Sequence, residues 1–182
     1  MCFVLIAVML AGGCAKGDDV MEQPPASPAP ETSGKLMRDK AAIMLVQQDF
    51  LAEVARVGDK WNAYELSLRA GLSEYAAGRL DALGETVSTP KGNLIRGKFL
   101  ELLNRHHDAA SNWSYTLQRV QDADDRLGQL KEEGGGSASE RTARQIEILK
   151  GKRDIQGALT GGEQAELMKI EHEIEKLMEA YK

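Results

Sequence analysis

From Ile43 onward the apolar residues of this chain recur at a helical interval, and that periodicity restricts the fold more than any other feature. Ile43, Val46, Phe50, Val54, Val57, Trp61, Tyr64, Leu68, Leu72 and Tyr75 are separated by threes and fours averaging 32/9, about 3.6 residues. The spacing predicts one long helix from about Lys35 to Leu83, closed by Gly84 as the C′ residue. Gly58, Gly71 and Gly78 weaken it, each by up to about 1 kcal/mol relative to Ala. A second start follows, with Thr89 suited to cap and Pro90 to the first turn. Beyond it run two interleaved heptad series, Ile95, Leu102, Ala109, Thr116, Ala123, Leu130 and Phe99, His106, Trp113, Val120, Leu127. That is a coiled-coil seam with His106 and Thr116 as polar exceptions, stopping at Gly134-Gly135-Gly136.

Two long helices joined by Gly84 to Thr89 fold back as an antiparallel hairpin. With the turn centred near Val87, residue i faces about 174 - i, so Trp61 meets Trp113 and His106 meets Leu68. Ser137 with Glu140 forms a capping box that opens a segment through Ile146, Leu149 and Leu159. Gly161-Gly162 interrupts it, and Leu167, Ile170, Ile174, Leu177 and Tyr181 resume the stripe. The expected fold is all-α: a coiled-coil-like hairpin completed by one kinked or two shorter C-terminal helices into a three- or four-helix bundle. Two short helices are favoured, because paired glycines rarely sit inside a straight helix.

Composition narrows the function classes. The net charge is -5, of which residues 15 to 34 hold -3 (Lys16 against Asp18, Asp19, Glu22 and Glu31), leaving -2 from Lys35 onward. No basic face large enough to neutralise several phosphates is expected, so nucleic acid is a poor partner. Both cysteines, Cys2 and Cys14, lie in the first fourteen residues, which rules out a disulfide framework, a cysteine zinc site and a catalytic thiol in the helical part.

Residues Cys2 to Leu10 are nine apolar residues in a row. As a helix they reach roughly 14 Å, well short of a bilayer's hydrocarbon core. A short apolar run ending in small residues reads as a secretory signal. Leu10-Ala11-Gly12-Gly13-Cys14 resembles the lipobox of bacterial lipoproteins, with Leu10 one place further back than the usual leucine. The resemblance implies removal of residues 1–13 after recognition of Leu10, Ala11, Gly12 and Gly13, and acylation of Cys14. Ala15 rather than Asp after that cysteine implies the outer membrane. Residues 14–34, with Pro24, Pro25, Pro28 and Pro30, then read as a lipidated cysteine and an extended tether, and 35–182 as the helical domain.

Catalytic and ligand motifs are weak. Gly92-Asn93-Leu94-Ile95-Arg96-Gly97-Lys98 approaches a P-loop, but Phe99 stands where magnesium needs Ser or Thr. Gly71-Leu72-Ser73-Glu74-Tyr75 fails as a nucleophile elbow at its last position. None of His106, His107 and His172 has the Glu three residues earlier that bundle metal sites use. His106 is expected to fix register at the core edge and His107 to be solvated, while Glu171, Glu173, Glu175 and Glu179 read as a solvated face. No enzyme, cofactor or metal is expected. The reading is a membrane-tethered scaffold or adaptor that meets an unidentified protein partner or itself, through apolar residues such as Leu51, Leu100, Leu103 and Ile148. The alternative is a small-ligand or metal site around His106, Leu68 and the level of Trp61 and Trp113.

Overall fold

Gly58 ends the first helix. Its φ of +85° is left-handed, a conformation that costs an L side chain about 1–2 kcal/mol, and its N–H bonds back to Ala55 O. The computed structural model describes residues 33–58, 61–133 and 140–181. Residues 1–32 fall outside that set, and with them the expected signal, Cys14 and most of the tether. Helix α1 spans Ser33–Val57 and α2 spans Ala63–Ala82. Asn62 restarts the chain: its Oδ1 accepts the Glu65 N–H at 2.9 Å, a capping contact that supplies one orphaned donor. The single helix expected over 35–83 is therefore two.

The break resets the helical phase, which overturns the apolar stripe expected beyond Trp61. Tyr64, Leu68 and Tyr75 point to solvent, and α2 instead buries Leu66, Arg69, Ala70, Ser73, Ala76 and Leu80. At its other end α2 stops at Ala82 with Leu83 as its C-cap, close to the expected place, but Gly84 is not left-handed and a 3-10 turn carries the chain on over Leu83–Glu85.

Helix α3 (Pro90–Glu133) and helix α4 (Glu140–Lys176) complete the architecture, with a last 3-10 turn at Glu179–Tyr181. Among the described residues there is no strand, and four helices pack as an all-α bundle. Each helix runs antiparallel to the one before it. Asp49 pairs with Arg79, Ser114 donates to Ala63 O, and Thr116 donates to Glu163. Gln47 of α1 donates to Ile174 O, which brings α1 beside α4. The α3 seam is buried at Ile95, Phe99, Leu102, His106, Trp113, Leu127 and Leu130, as its heptads predict. Gly161-Gly162 does not interrupt α4, which runs unbroken through both, so the favoured pair of short C-terminal helices is replaced by one long helix.

The helices differ in length: α3 has 44 residues and α4 has 37, against 25 and 20 for α1 and α2. At 1.5 Å per residue α3 is about 66 Å long and α2 about 30 Å. Beyond Ser114, α3 and α4 continue as a two-helix arm. Leu127 and Leu130 are buried there, and Ile146, Leu149, Arg153, Gln156 and Thr160 are half-buried at heptad spacing. Both core clusters lie inside the compact unit 31–182, which so carries its own core.

At the end away from the arm, Asp39 of α1 holds the start of α3. Its carboxylate accepts the Ser88 N–H (3.2 Å), the Thr89 N–H (2.9 Å) and the Thr89 hydroxyl (2.6 Å), and Thr89 Oγ1 accepts the Gly92 N–H. A negative charge here also meets the positive end of the α3 dipole. A Cβ on Gly92 would lie 2.6 Å from Asp39 Oδ2 and 2.8 Å from Thr89 Oγ1, so this glycine of the P-loop-like stretch serves close packing. Burial raises the Asp39 pKa, but the Thr89 and Ser88 hydrogen bonds together outweigh it and hold the group below its ordinary 3.8.

Gly92→Ala is expected to cost about 1–3 kcal/mol in urea unfolding, as overpacking does, whereas Gly97→Ala, where a Cβ meets nothing within 4 Å, is expected to stabilise by up to about 1 kcal/mol. The Asp39 contribution is complete above its unfolded value of 3.8 and lost as pH falls through the lower folded value, so an Asp39→Asn variant should show a shallower acid limb below that pH.

Candidate functional site

Four helices converge on a chain of buried polar groups. Arg69 of α2, 3% exposed, sends one guanidinium nitrogen to Glu171 of α4 and another to Gly58 O at 2.7 Å. The second bond satisfies a carbonyl at the exposed end of α1. The same guanidinium lies over the Trp61 ring, 4.4 Å from its centroid, and Trp61 stacks on Trp113 at 5.1 Å and 26°. Glu171 continues the chain, with Oε1 3.2 Å from His106 Nε2. On the other side of the ring, His106 Nδ1 stands 2.6 Å from Ser73 Oγ, and Phe50 meets the imidazole edge-on at 5.3 Å. A carboxylate only accepts, so Nε2 carries a hydrogen toward Glu171, while the single Ser73 hydroxyl hydrogen lies within reach of both His106 Nδ1 and, at 3.2 Å, Arg69 O.

Trp61 and Trp113 thus meet as the hairpin register requires, but His106 does not meet Leu68. Leu68 is 43% exposed, and Ser73, five residues later, takes its place. Leu68 turns outward because the helical phase restarts at Asn62, so α2 presents Ser73 rather than Leu68 to His106. His107 is not solvated: it is half-buried, with Nδ1 3.1 Å from Ala70 O. Glu171, expected on a solvated face, is drawn inward by Arg69, while Glu173 pairs with Arg105 and Glu175 faces His172.

Ser73, His106 and Glu171 follow the order of a nucleophile, a base and an orienting carboxylate. The arrangement lacks access: Ser73 is 1% and His106 0% exposed, and Phe50 closes the ring's edge. Both ring nitrogens already have partners, and no three metal-ligating side chains cluster among the described residues. What reaches solvent is the outer edge, where Trp61, Arg69 and Glu171 line an open groove of about 480 Å3 with Val54 and Met168. Sequence reasoning missed Arg69, Ser73 and Glu171. The signal for Arg69 and Ser73 was Asn62-x-x-Glu65, a capping pattern that restarts the helical count and turns both inward.

Removing Arg69 leaves Glu171 half-buried and uncompensated, so Arg69→Ala is expected to cost about 3–5 kcal/mol in denaturant unfolding. Replacing both partners, Arg69→Met with Glu171→Leu, should cost less than the single change, which a double-mutant cycle measures. Scans against family models, curated proteins and solved structures found no match to this chain.

Proposed function

We propose that this chain is a lipid-anchored envelope protein that acts as a non-enzymatic scaffold or adaptor, held to the outer membrane by acyl chains on Cys14. One observation carries the adaptor reading: the α3–α4 arm leaves large apolar side chains in solvent beyond the bundle. Ile148, Ile155 and Leu159 are 59%, 68% and 56% exposed. The apolar residues expected to mark a docking face divide accordingly. Leu103 is fully buried, Leu51 and Leu100 are half-buried against the core, and Ile148 alone stays exposed. On this reading the docking surface is the arm, where Ile148, Ile155 and Leu159 stand within twelve residues of one helix, and helix-on-helix contact is its natural mode; the bundle also exposes large apolar residues, Leu45, Tyr64, Tyr75 and Leu94 among them. No described helix is long and apolar enough to cross a membrane, so the anchoring reading rests on the lipobox-like residues Leu10 to Cys14. The polar chain around His106 fits a register-fixing role, since both ring nitrogens and the two terminal nitrogens of Arg69 have partners within the protein, with buried Arg69 Nε left without one.

Two measurements test this. Cys14→Ser should move the protein from the membrane fraction to the soluble fraction and abolish incorporation of a labelled fatty acid; membrane retention of the variant contradicts the anchor. A photo-reactive residue at Ile155 should give protein adducts in cells, and one at Leu94 on the bundle should not. Equal labelling at the two sites, or none at Ile155, contradicts the adaptor role.

A further inference from the structure

The outward side of α1 is built the wrong way round for a helix in water. A surface helix turns apolar residues to the core and charged ones to solvent. The first half of α1 buries Asp39, Ile43, Val46 and Gln47, yet its opposite side carries Gly34, Met37, Ala41, Met44 and Leu45 at helical spacing. All five are exposed, Met37 at 67%, Leu45 at 55% and Met44 at 41%. The charges of this half lie along the borders of that strip. Lys35 and Arg38 stand on one side, beside Thr86 and Ser88, and Lys40 on the other, where it donates to Tyr181 O. Asp39 is the one carboxylate between Ser33 and Gln48, and it is buried and committed to Ser88 and Thr89. Neighbouring elements do not reverse the sign. Around the α2–α3 turn Asp81 and Glu85 stand against Lys91 and Arg96, while on α4 Lys176 pairs with Glu179 and Glu175 faces His172.

We propose that this face of α1 rests on a lipid surface that carries anionic headgroups. The proposal rests on the anchoring reading for its occupant. Only residues 15–32 separate Cys14 from Ser33, a length of chain that spans at most about 60 Å. An apolar strip bordered by cations is the pattern of a helix lying in the plane of a membrane interface. Met37, Met44 and Leu45 meet the acyl boundary, and the long stems of Lys35, Arg38 and Lys40 carry their charges out among the phosphates.

Each cation held near such a surface raises the binding constant about fivefold, so three supply about a hundredfold. The strip from Gly34 to Gln48 is only about 21 Å long, and the other side of the helix stays committed to the bundle. Insertion is therefore shallow and the contact weak by itself. Acyl chains on Cys14 change that, because a linker this short confines the domain at an effective concentration high enough to keep a weak contact formed.

Residues 31–182 carry both core clusters and lack Cys14, so their partition onto vesicles reads the face without the anchor. At low salt they should cosediment with phosphatidylcholine vesicles containing about one-third phosphatidylglycerol, and not with pure phosphatidylcholine. Binding should vanish at about 1 M salt, where the screening length falls to about 3 Å. Met37→Gln with Leu45→Gln, and separately Lys35→Gln with Arg38→Gln, should each lower the partition coefficient at least about tenfold. Neither pair should lower the melting temperature, because all four side chains are exposed. Leu159→Gln, at an exposed site on the arm, should change nothing. No partition onto the anionic vesicles, equal partition onto neutral ones, or partition that survives either pair of substitutions overturns the proposal. So does a photo-reactive residue at Leu45 of the acylated chain whose adducts in cells are with protein rather than lipid. The Cys14→Ser fractionation is read after a high-salt wash, which strips this contact, so failure of the anchor and failure of the face are told apart.

Discussion

The salt bridge between Arg69 and Glu171 is the contact on which the rest of this bundle depends. Neither partner belongs to a sequence-adjacent helix, so the pair joins α2 to α4 across the fold. Through Gly58 O the same arginine closes α1, and through Glu171 it reaches His106 on α3. A guanidinium suits this position because its planar fork serves two acceptors while its face covers an indole. Burying such a charge is costly on its own, and the cost is met here by having each neighbour supply what another lacks. The consequence is a unique register. Slide one helix by a turn and a buried charge loses its partner, whereas a purely apolar seam would tolerate the shift.

Around that level the molecule divides into two regimes. Where α1 and α2 lie against α3 and α4, side chains such as Phe50, Phe99, Leu103 and Ile170 are sealed from water. Where only two helices remain, the interior is thinner and more polar, with Arg153, Gln156 and Thr160 in positions that a larger bundle would fill with leucine. Two helices cannot enclose each other, so each keeps an outward face, and apolar residues on it stay wet unless a further helix arrives.

How much of this was legible in the sequence follows from which signals were local. The α3 seam was readable because it is long, uninterrupted and framed by Thr89 and Pro90. The stack of Trp61 on Trp113 was readable because both flank a reversal of known position. The buried face of α2 was not, since a helical count carried through Gly58 arrives with the wrong phase, and Leu68 and Tyr75 imitate a core stripe. Gly58 alone did not announce the break, because Gly71 and Gly78 sit within α2 without consequence. Only its left-handed φ together with the Asn62 cap distinguishes it. Gly161-Gly162 misled in the opposite sense, because packing along both sides of α4, at Leu167 and Thr160, holds the helix through residues whose own preference is to break it. Glu171 could not have been found from the sequence, since its role depends on a residue 102 positions away.

The clamp of Asp39 on Ser88 and Thr89 has a mechanical side. It lies six residues after Ser33, at the end of the bundle remote from the arm, so tension applied where α1 begins reaches it within two turns of helix. Its three hydrogen bonds cross from one helix to the start of another, side by side, and share such a load instead of giving way in sequence. Gln47, gripping Ile174 O two turns further along, resists together with it. Extracting α1 then requires a whole helical face to slide past its neighbours at once, a geometry in which short-lived pulls are absorbed without the fold coming apart.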